Sequence, residues 1–218
     1  MTGTDLSSML FQGLIRLLVL FTAVHIHECA HALAADKLGD PSPRNRGRIT
    51  LNPFAHLTLW GTLMMLLIGF GYGRPVEVNP SNFKHPKRDM ALTALAGPAS
   101  NLIMAYVSMI VYRLCYAYME VNDTLIYLTI VFQYITIINI SLAMFNFLPV
   151  PPLDGSKIFN AVLPDKLYFK VMQYERYIII VVIVLVYSGL LTGPLSFLHY
   201  HALRIMLALT DWVDLLIK

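Results

Sequence analysis

From Met9 to Ala35 the chain runs 27 residues with few polar interruptions, and near its end the run carries His27-Glu28-Cys29-Ala30-His31. At 1.5 Å per residue such a helix is about 40 Å long, enough to cross a bilayer with tilt or to project beyond it. Ionisable groups at membrane depth are costly and usually functional, and here three fall within five residues. On a helix, positions i and i+4 share one face, so His27 and His31 can aim both imidazoles at one metal ion. Glu28 lies about 100° round the helix, where it can reach a water at that metal without taking a coordination site. Shuffling the 7 His and 4 Glu of this chain would produce HExxH in roughly 0.4% of sequences, which makes the motif a specific signal.

Composition supports burial in lipid. The chain has 218 residues, is 57% hydrophobic and only 13% charged, and has a mean hydropathy of +0.62. A soluble domain of this size could not hide that much apolar side chain, so an integral membrane protein is expected. The length fits one membrane-embedded domain over 1–218. The net charge of +3 comes from scattered loop residues and gives no reason to invoke nucleic acid. Cys29 and Cys115 suggest no disulfide framework. Cleavage of a signal peptide is not expected, because the first apolar segment holds the HExxH motif.

The fold class expected is an all-α polytopic membrane protein with four to five transmembrane helices and a short β-strand/re-entrant element between the first two spans. The spans are Met9–Ala35, Met90–Ala117 with an interruption at Gly97-Pro98, Leu125–Phe147 and Tyr177–Leu191. Leu195–Ile217 either lies in the interface or makes a fifth span. Arg48–Leu51 and Pro75–Val78 read as short strands, and His56–Gly73, with glycines at 69, 71 and 73, as a re-entrant or interfacial hairpin. In this layout segments 37–89 and 148–176 share one side and hold 12 of the 16 Lys and Arg residues. The loop 118–124 has Glu120 and Asp123 and no basic residue. The positive-inside rule then predicts a multi-pass cell-membrane protein with the basic side and the site near the cytosol, and the N-terminus outside.

A catalytic zinc normally has three protein ligands and one open position. Glu120 and Asp123 fall on the wrong side, Glu77 lies in a strand-like loop, and Glu175 stands beside Arg176 and near Lys170. Asp154 follows the proline-rich stretch Asn146-Phe147-Leu148-Pro149-Val150-Pro151-Pro152-Leu153, which must end the third helix. It falls at the same cytosolic end as His31. An Asp-Gly pair is also an ordinary turn, so the position alone leaves both readings open.

With these residues in view, the chain resembles the site-2 protease family of intramembrane zinc metalloproteases, in its compact prokaryotic branch. HECAH at 27–31, Asn146 to Gly155, and Gly97-Pro98-Ala99-Ser100-Asn101 carry the resemblance, supported by GRITLNPFAH at 47–56 and GRPVEVNPSNF at 73–83. It covers roughly residues 10–160. It implies one Zn²⁺ per chain bound by His27, His31 and Asp154, with Glu28 as general base and Asn146 assisting at the reacting carbonyl. Asn146 near a helix end fits a structural cap equally well. No PDZ-like insertion, appended nucleotide-sensing domain or clear helix before the HExxH span, as in larger members, is expected from these 218 residues. Asn101 and the histidines at 25, 56, 85, 199 and 201 are expected to be structural or interfacial. The partners implied are a membrane-protein substrate and the lipid bilayer, with the oligomeric state open. A catalytically silent zinc-binding membrane protein, acting as a binding or chaperone-like module, is the alternative. A transporter would predict ionisable residues along several spans and an inverted repeat, and neither is visible.

Overall fold

The structure, a computed structural model, describes residues 6–68, 73–164 and 174–217. It is built from helices. The first span is continuous from residue 6 to 38 but changes pitch within: α1 covers Leu6–Val19, a π turn Leu20–Val24, and α2 His25–Leu38. A short helix α3 (Ser42–Asn45) and α4 (Leu59–Ile68) follow. The long α5 (Pro86–Ala117) and α6 (Asp123–Asn146) form an antiparallel pair. Then come α7 (Asp154–Asn160), α8 (Glu175–Tyr187), α9 (Thr192–Leu209) and α10 (Trp212–Ile217).

Among the described residues three helices are long and apolar enough to cross a membrane: Gly13–Leu38, Pro86–Ala117 and Asp123–Asn146. They coincide with the first three expected spans. The fourth expected span is shorter than foreseen, because α8 has 13 residues and rises only about 20 Å against a hydrocarbon core of about 30 Å. The last helix is divided at Thr210, where α9 ends and α10 begins. Arg113 closes that break. Its guanidinium donates to the carbonyls of Thr210 and Leu207 and to the Asp211 carboxylate, and pairs with Asp214. The carbonyls left open at the end of α9 are thereby satisfied.

Three expectations need correction. Gly97-Pro98 does not interrupt the second span, since α5 is helical on both sides of it. The Ser100 hydroxyl donates to Gly97 O, and such local partners let a helix tolerate proline in a membrane. Second, Arg48–Leu51 and Pro75–Val78 are not strands. Among the described residues pairing is limited to one isolated bridge, Leu57 with Gly73. Backbone groups that a ladder would use are spent elsewhere: Val76 N–H donates to the Glu28 carboxylate, Arg48 N–H to Pro43 O, and Thr50 O faces His56 Nε2. Third, Asp154 does not start a simple turn. It opens α7, and the chain doubles back so tightly that a Cβ on Gly155 would lie 2.3 Å from Phe147 O. The expected hairpin is represented by α4; Gly69 and Gly71 lie outside the described residues, as do Lys166 and Lys170.

Two apolar clusters hold the bundle. Ile15, Val19 and Ala23 of the first span pack with Ile138 and Leu142 of α6. Ala105 and Met109 of α5 pack with Ile140 of α6 and Met206 of α9. The same pair of long helices therefore receives the first span on one side and α9 on the other.

Asp40 fastens the loop after α2. Gly39 ends that helix in the left-handed conformation at φ 114°, and the fully buried Asp40 carboxylate then accepts four hydrogen bonds. The donors are Ser42 N, Ser42 Oγ, Asn79 N and Asn82 Nδ2 at 2.6–3.1 Å. Burial pushes this carboxyl up, but the Ser42, Asn82 and Asn79 donors outweigh it and hold it below its ordinary value. A depressed folded-state value means that the stabilisation is complete above the unfolded value near pH 4 and is lost as pH falls through the folded one. Asp40→Asn is expected to cost about 2 kcal/mol and to remove that acid-sensitive component. Unfolding midpoints of the detergent-solubilised protein between pH 3 and pH 7 test both.

Candidate metal centre

The structure brings His27, His31 and Asp154 together, although 123 residues separate His31 from Asp154. All three are buried. His27 Nε2 and His31 Nε2 lie 3.0 Å apart, and each is 3.1 Å from Asp154 Oδ2. A tetrahedral site with bonds of 2.0–2.1 Å has edges of about 3.3 Å between ligand atoms, close to this triangle.

His31 Nδ1 lies 2.7 Å from Thr93 O, and a carbonyl only accepts, so Nδ1 carries a hydrogen. In the neutral imidazole Nε2 is the unprotonated nitrogen, and its lone pair is turned toward His27 Nε2 and Asp154 Oδ2, where a metal ion would take the place of a bridging proton. The Thr93 contact also fixes the tautomer and the ring direction, the usual part played by a group behind a metal-bound histidine. The other oxygen of Asp154, Oδ1, faces Lys157 Nζ at 3.6 Å. Among the described residues this is the one cluster of three or more His, Cys, Asp or Glu side chains with metal-ligand spacing.

Space for the two rings comes from α5. An added Cβ on Gly97 would lie 2.3 Å from His31 Nε2 and 2.7 Å from His27 Cε1. The sequence marked Gly97-Pro98 only as an interruption of the second span, and did not show that Gly97 makes room for the imidazole pair. The Gly-Pro signal was visible; its target, 66 and 70 residues away in the sequence, was not.

Glu28 Oε2 accepts the Val76 N–H at 3.0 Å, so the extended segment after Gly73 lies against the carboxylate. Asn146 ends α6, and its Nδ2 donates to Leu142 O at 3.0 Å. That bond uses one of its two amide hydrogens. Asn101 is buried in α5, and its Nδ2 has no protein partner. Among the other histidines, His56 is fully buried against Thr50 O at 3.0 Å, and His199 contacts Ser141 Oγ at 3.1 Å. Neither they nor His25, His85 and His201 join the cluster. Cys29 and Cys115 are free thiols.

Comparison with known proteins adds kinship. The model of peptidase family M50 matches residues 122–188. "Putative zinc metalloprotease YwhC" of Bacillus subtilis is 42% identical over 175 residues, which is 78% of this chain and 78% of that protein. "Putative zinc metalloprotease Rip2" of Mycolicibacterium smegmatis is 31% identical over 134 residues, 60% of this chain and 50% of the relative. The Rip2 protein of Mycobacterium tuberculosis strain H37Rv is 26% identical over 174 residues, 77% of this chain and 64% of the relative. No solved structure matches.

Proposed function

This chain belongs to peptidase family M50, and from that membership we propose that it is an intramembrane zinc endopeptidase that hydrolyses a peptide bond in or near a transmembrane segment of another membrane protein. The observation that carries this reading is the meeting of His27, His31 and Asp154 between helices apolar enough to span a bilayer. These three residues would hold the zinc. When bound, zinc supplies Lewis-acid polarisation of the scissile carbonyl and makes water more acidic.

The chain's own groups do the rest. Glu28 takes the proton of the attacking water on its carboxylate and returns it to the departing amine, so the C–N bond breaks as a neutral amine leaves. Its Oε1 is the oxygen available for this, because Oε2 accepts the Val76 N–H. Asn146 keeps one amide hydrogen to offer the carbonyl oxygen as negative charge develops.

A helical peptide bond is shielded by its own turns, so the substrate must unwind locally before the cut. Each Ala-to-Gly exchange lowers the cost of leaving a helix by roughly 1 kcal/mol. With purified enzyme in liposomes, Gly, Pro or Asn near the cut should speed cleavage, and Leu or Ala in their place should slow it about fivefold per position. Equal cleavage of soluble unstructured peptides, with no response to helix-stabilising exchanges, would contradict the proposal.

The distribution of basic residues supports an arrangement with 37–89 and 148–176 in the cytosol, an outside N-terminus, and cleavage near the cytosolic face. Val121, Asn45 and Val162 are all exposed. In a protein lacking Cys29 and Cys115, Val121→Cys should react with an impermeant thiol reagent on intact cells. Asn45→Cys and Val162→Cys should react only after lysis. The opposite pattern would invert the topology.

A further inference from the structure

Beside the segment that covers Glu28 lies a second polar cavity, of about 450 Å³, lined by Arg46, Gly47, Arg48, Ala55, Arg74 and Glu77. Its charge is unbalanced. Arg46 pairs with Glu77, but neither Arg48 nor Arg74 has a carboxylate partner among the described residues. Arg48 is 6% exposed, and among the described residues its guanidinium has one hydrogen bond, to the carbonyl of Ala55. A guanidinium has five N–H donors, and buried arginines are almost always paired, so most of the donor capacity of Arg48 is unspent. Burial and the neighbouring Arg74 guanidinium pull Arg48 below its ordinary value; Glu28 opposes this and Arg46 adds to it. Together these guanidiniums present donors suited to an anion.

The surroundings indicate where such an anion resides. Leu51, Phe54, Leu59 and Trp60 flank the cavity residues in sequence and are 69–75% exposed. Leu59 and Trp60 open α4, the apolar helix that follows the cavity residue Ala55 in sequence. Apolar and aromatic side chains of this kind next to arginines are the pattern of a segment seated at the headgroup level.

We propose that Arg46, Arg48 and Arg74 form a binding site for a phosphate-bearing anion, either the headgroup of an anionic phospholipid or free phosphate. Planar guanidiniums suit phosphate oxygens because each can donate two parallel hydrogen bonds. The anion would compete with Glu77 for Arg46. Arg74 and Glu77 flank Val76, whose N–H meets Glu28, so occupancy would bear directly on the segment bonded to that carboxylate. The phosphate chemistry stands independently of the protease reading; only the lipid source depends on the membrane placement.

The test uses Trp60, one of two tryptophans in the chain. In a Trp212→Phe background, Trp60 fluorescence is quenched by vesicles of brominated phosphatidylglycerol or brominated phosphatidylcholine. The ratio of the two association constants should favour the anionic lipid about fivefold for each uncompensated arginine. Arg74→Gln, an exposed position, should lower that preference about fivefold, and Arg48→Lys should largely keep it while Arg48→Gln does not. In uncharged detergent, inorganic phosphate should raise the unfolding midpoint of the native protein more than that of Arg74→Gln. A lipid preference assigns the site to headgroups, and a phosphate response without it assigns the site to free phosphate. Equal quenching by both lipids with no phosphate response, or responses unchanged in Arg74→Gln, would overturn the proposal.

Discussion

Glu28→Gln is expected to keep zinc and lose proteolysis by about 10²- to 10⁴-fold, the usual contribution of a positioned general base. The substitution preserves shape, and the side-chain carbonyl can still accept the Val76 N–H that the carboxylate accepts at 3.0 Å. What disappears is basicity. Metal content of the purified protein, read beside cleavage of a membrane-spanning substrate, separates the two effects. Asp154→Ala should behave differently, losing metal and activity together, because Asp154 Oδ2 stands 3.1 Å from both imidazoles. Full activity in Glu28→Gln would remove Glu28 from the chemistry, and full zinc in Asp154→Ala would remove Asp154 from the ligand set.

Gly97→Ala is expected to lower zinc affinity by at least about a hundredfold, the upper range seen when groups supporting a metal ligand are lost. The new methyl would stand 2.3 Å from His31 Nε2 and 2.5 Å from His31 Cε1, and neither ring can retreat without leaving the triangle. The sign makes the experiment decisive. Alanine is the better helix former by about 1 kcal/mol, so in the absence of the imidazoles the exchange would favour α5. Gly13→Ala serves as control, since a Cβ there meets nothing within 4 Å. Both variants should fold in detergent, and only Gly97→Ala should emerge depleted of metal. Equal zinc in the two would show that α5 yields at this point and that the tight approach is not required.

Sequence reasoning reached the parts of this molecule that depend on short-range pattern. The apolar runs specify the three long helices, and HExxH places two imidazoles on one face by helix geometry alone. Asp154 was reachable because few carboxylates compete and because the proline-rich stretch ends α6 at the end of the bundle where α2 also ends. The failures have a common cause. Arg48–Leu51 and Pro75–Val78 have the composition of strands, yet the second segment and the residue after it are tied at Val76 and Asn79 to Glu28 and Asp40. Those carboxylates lie 48 and 39 residues before the N–H groups they bind, at Val76 and Asn79. Gly97 with Pro98 stands out in the sequence, but not the two imidazoles it makes room for. Arg48 looked like one of many cytosolic charges, and only its burial sets it apart.

The π turn at Leu20–Val24 divides the first span into a half that packs on α6 and a half that carries the imidazoles. A π turn holds one residue more than the α ladder needs. It is therefore a store of slack in the main chain. Removing a single residue there would let the ladder close into ordinary α-helix while Ile15 and Val19 keep their seats on α6 and His27 and His31 keep their aim. Anywhere else between Ile15 and His31 the same deletion would turn one half against the other by about 100°. The span can thus change length by one residue at this point without disturbing either its anchorage or its chemistry.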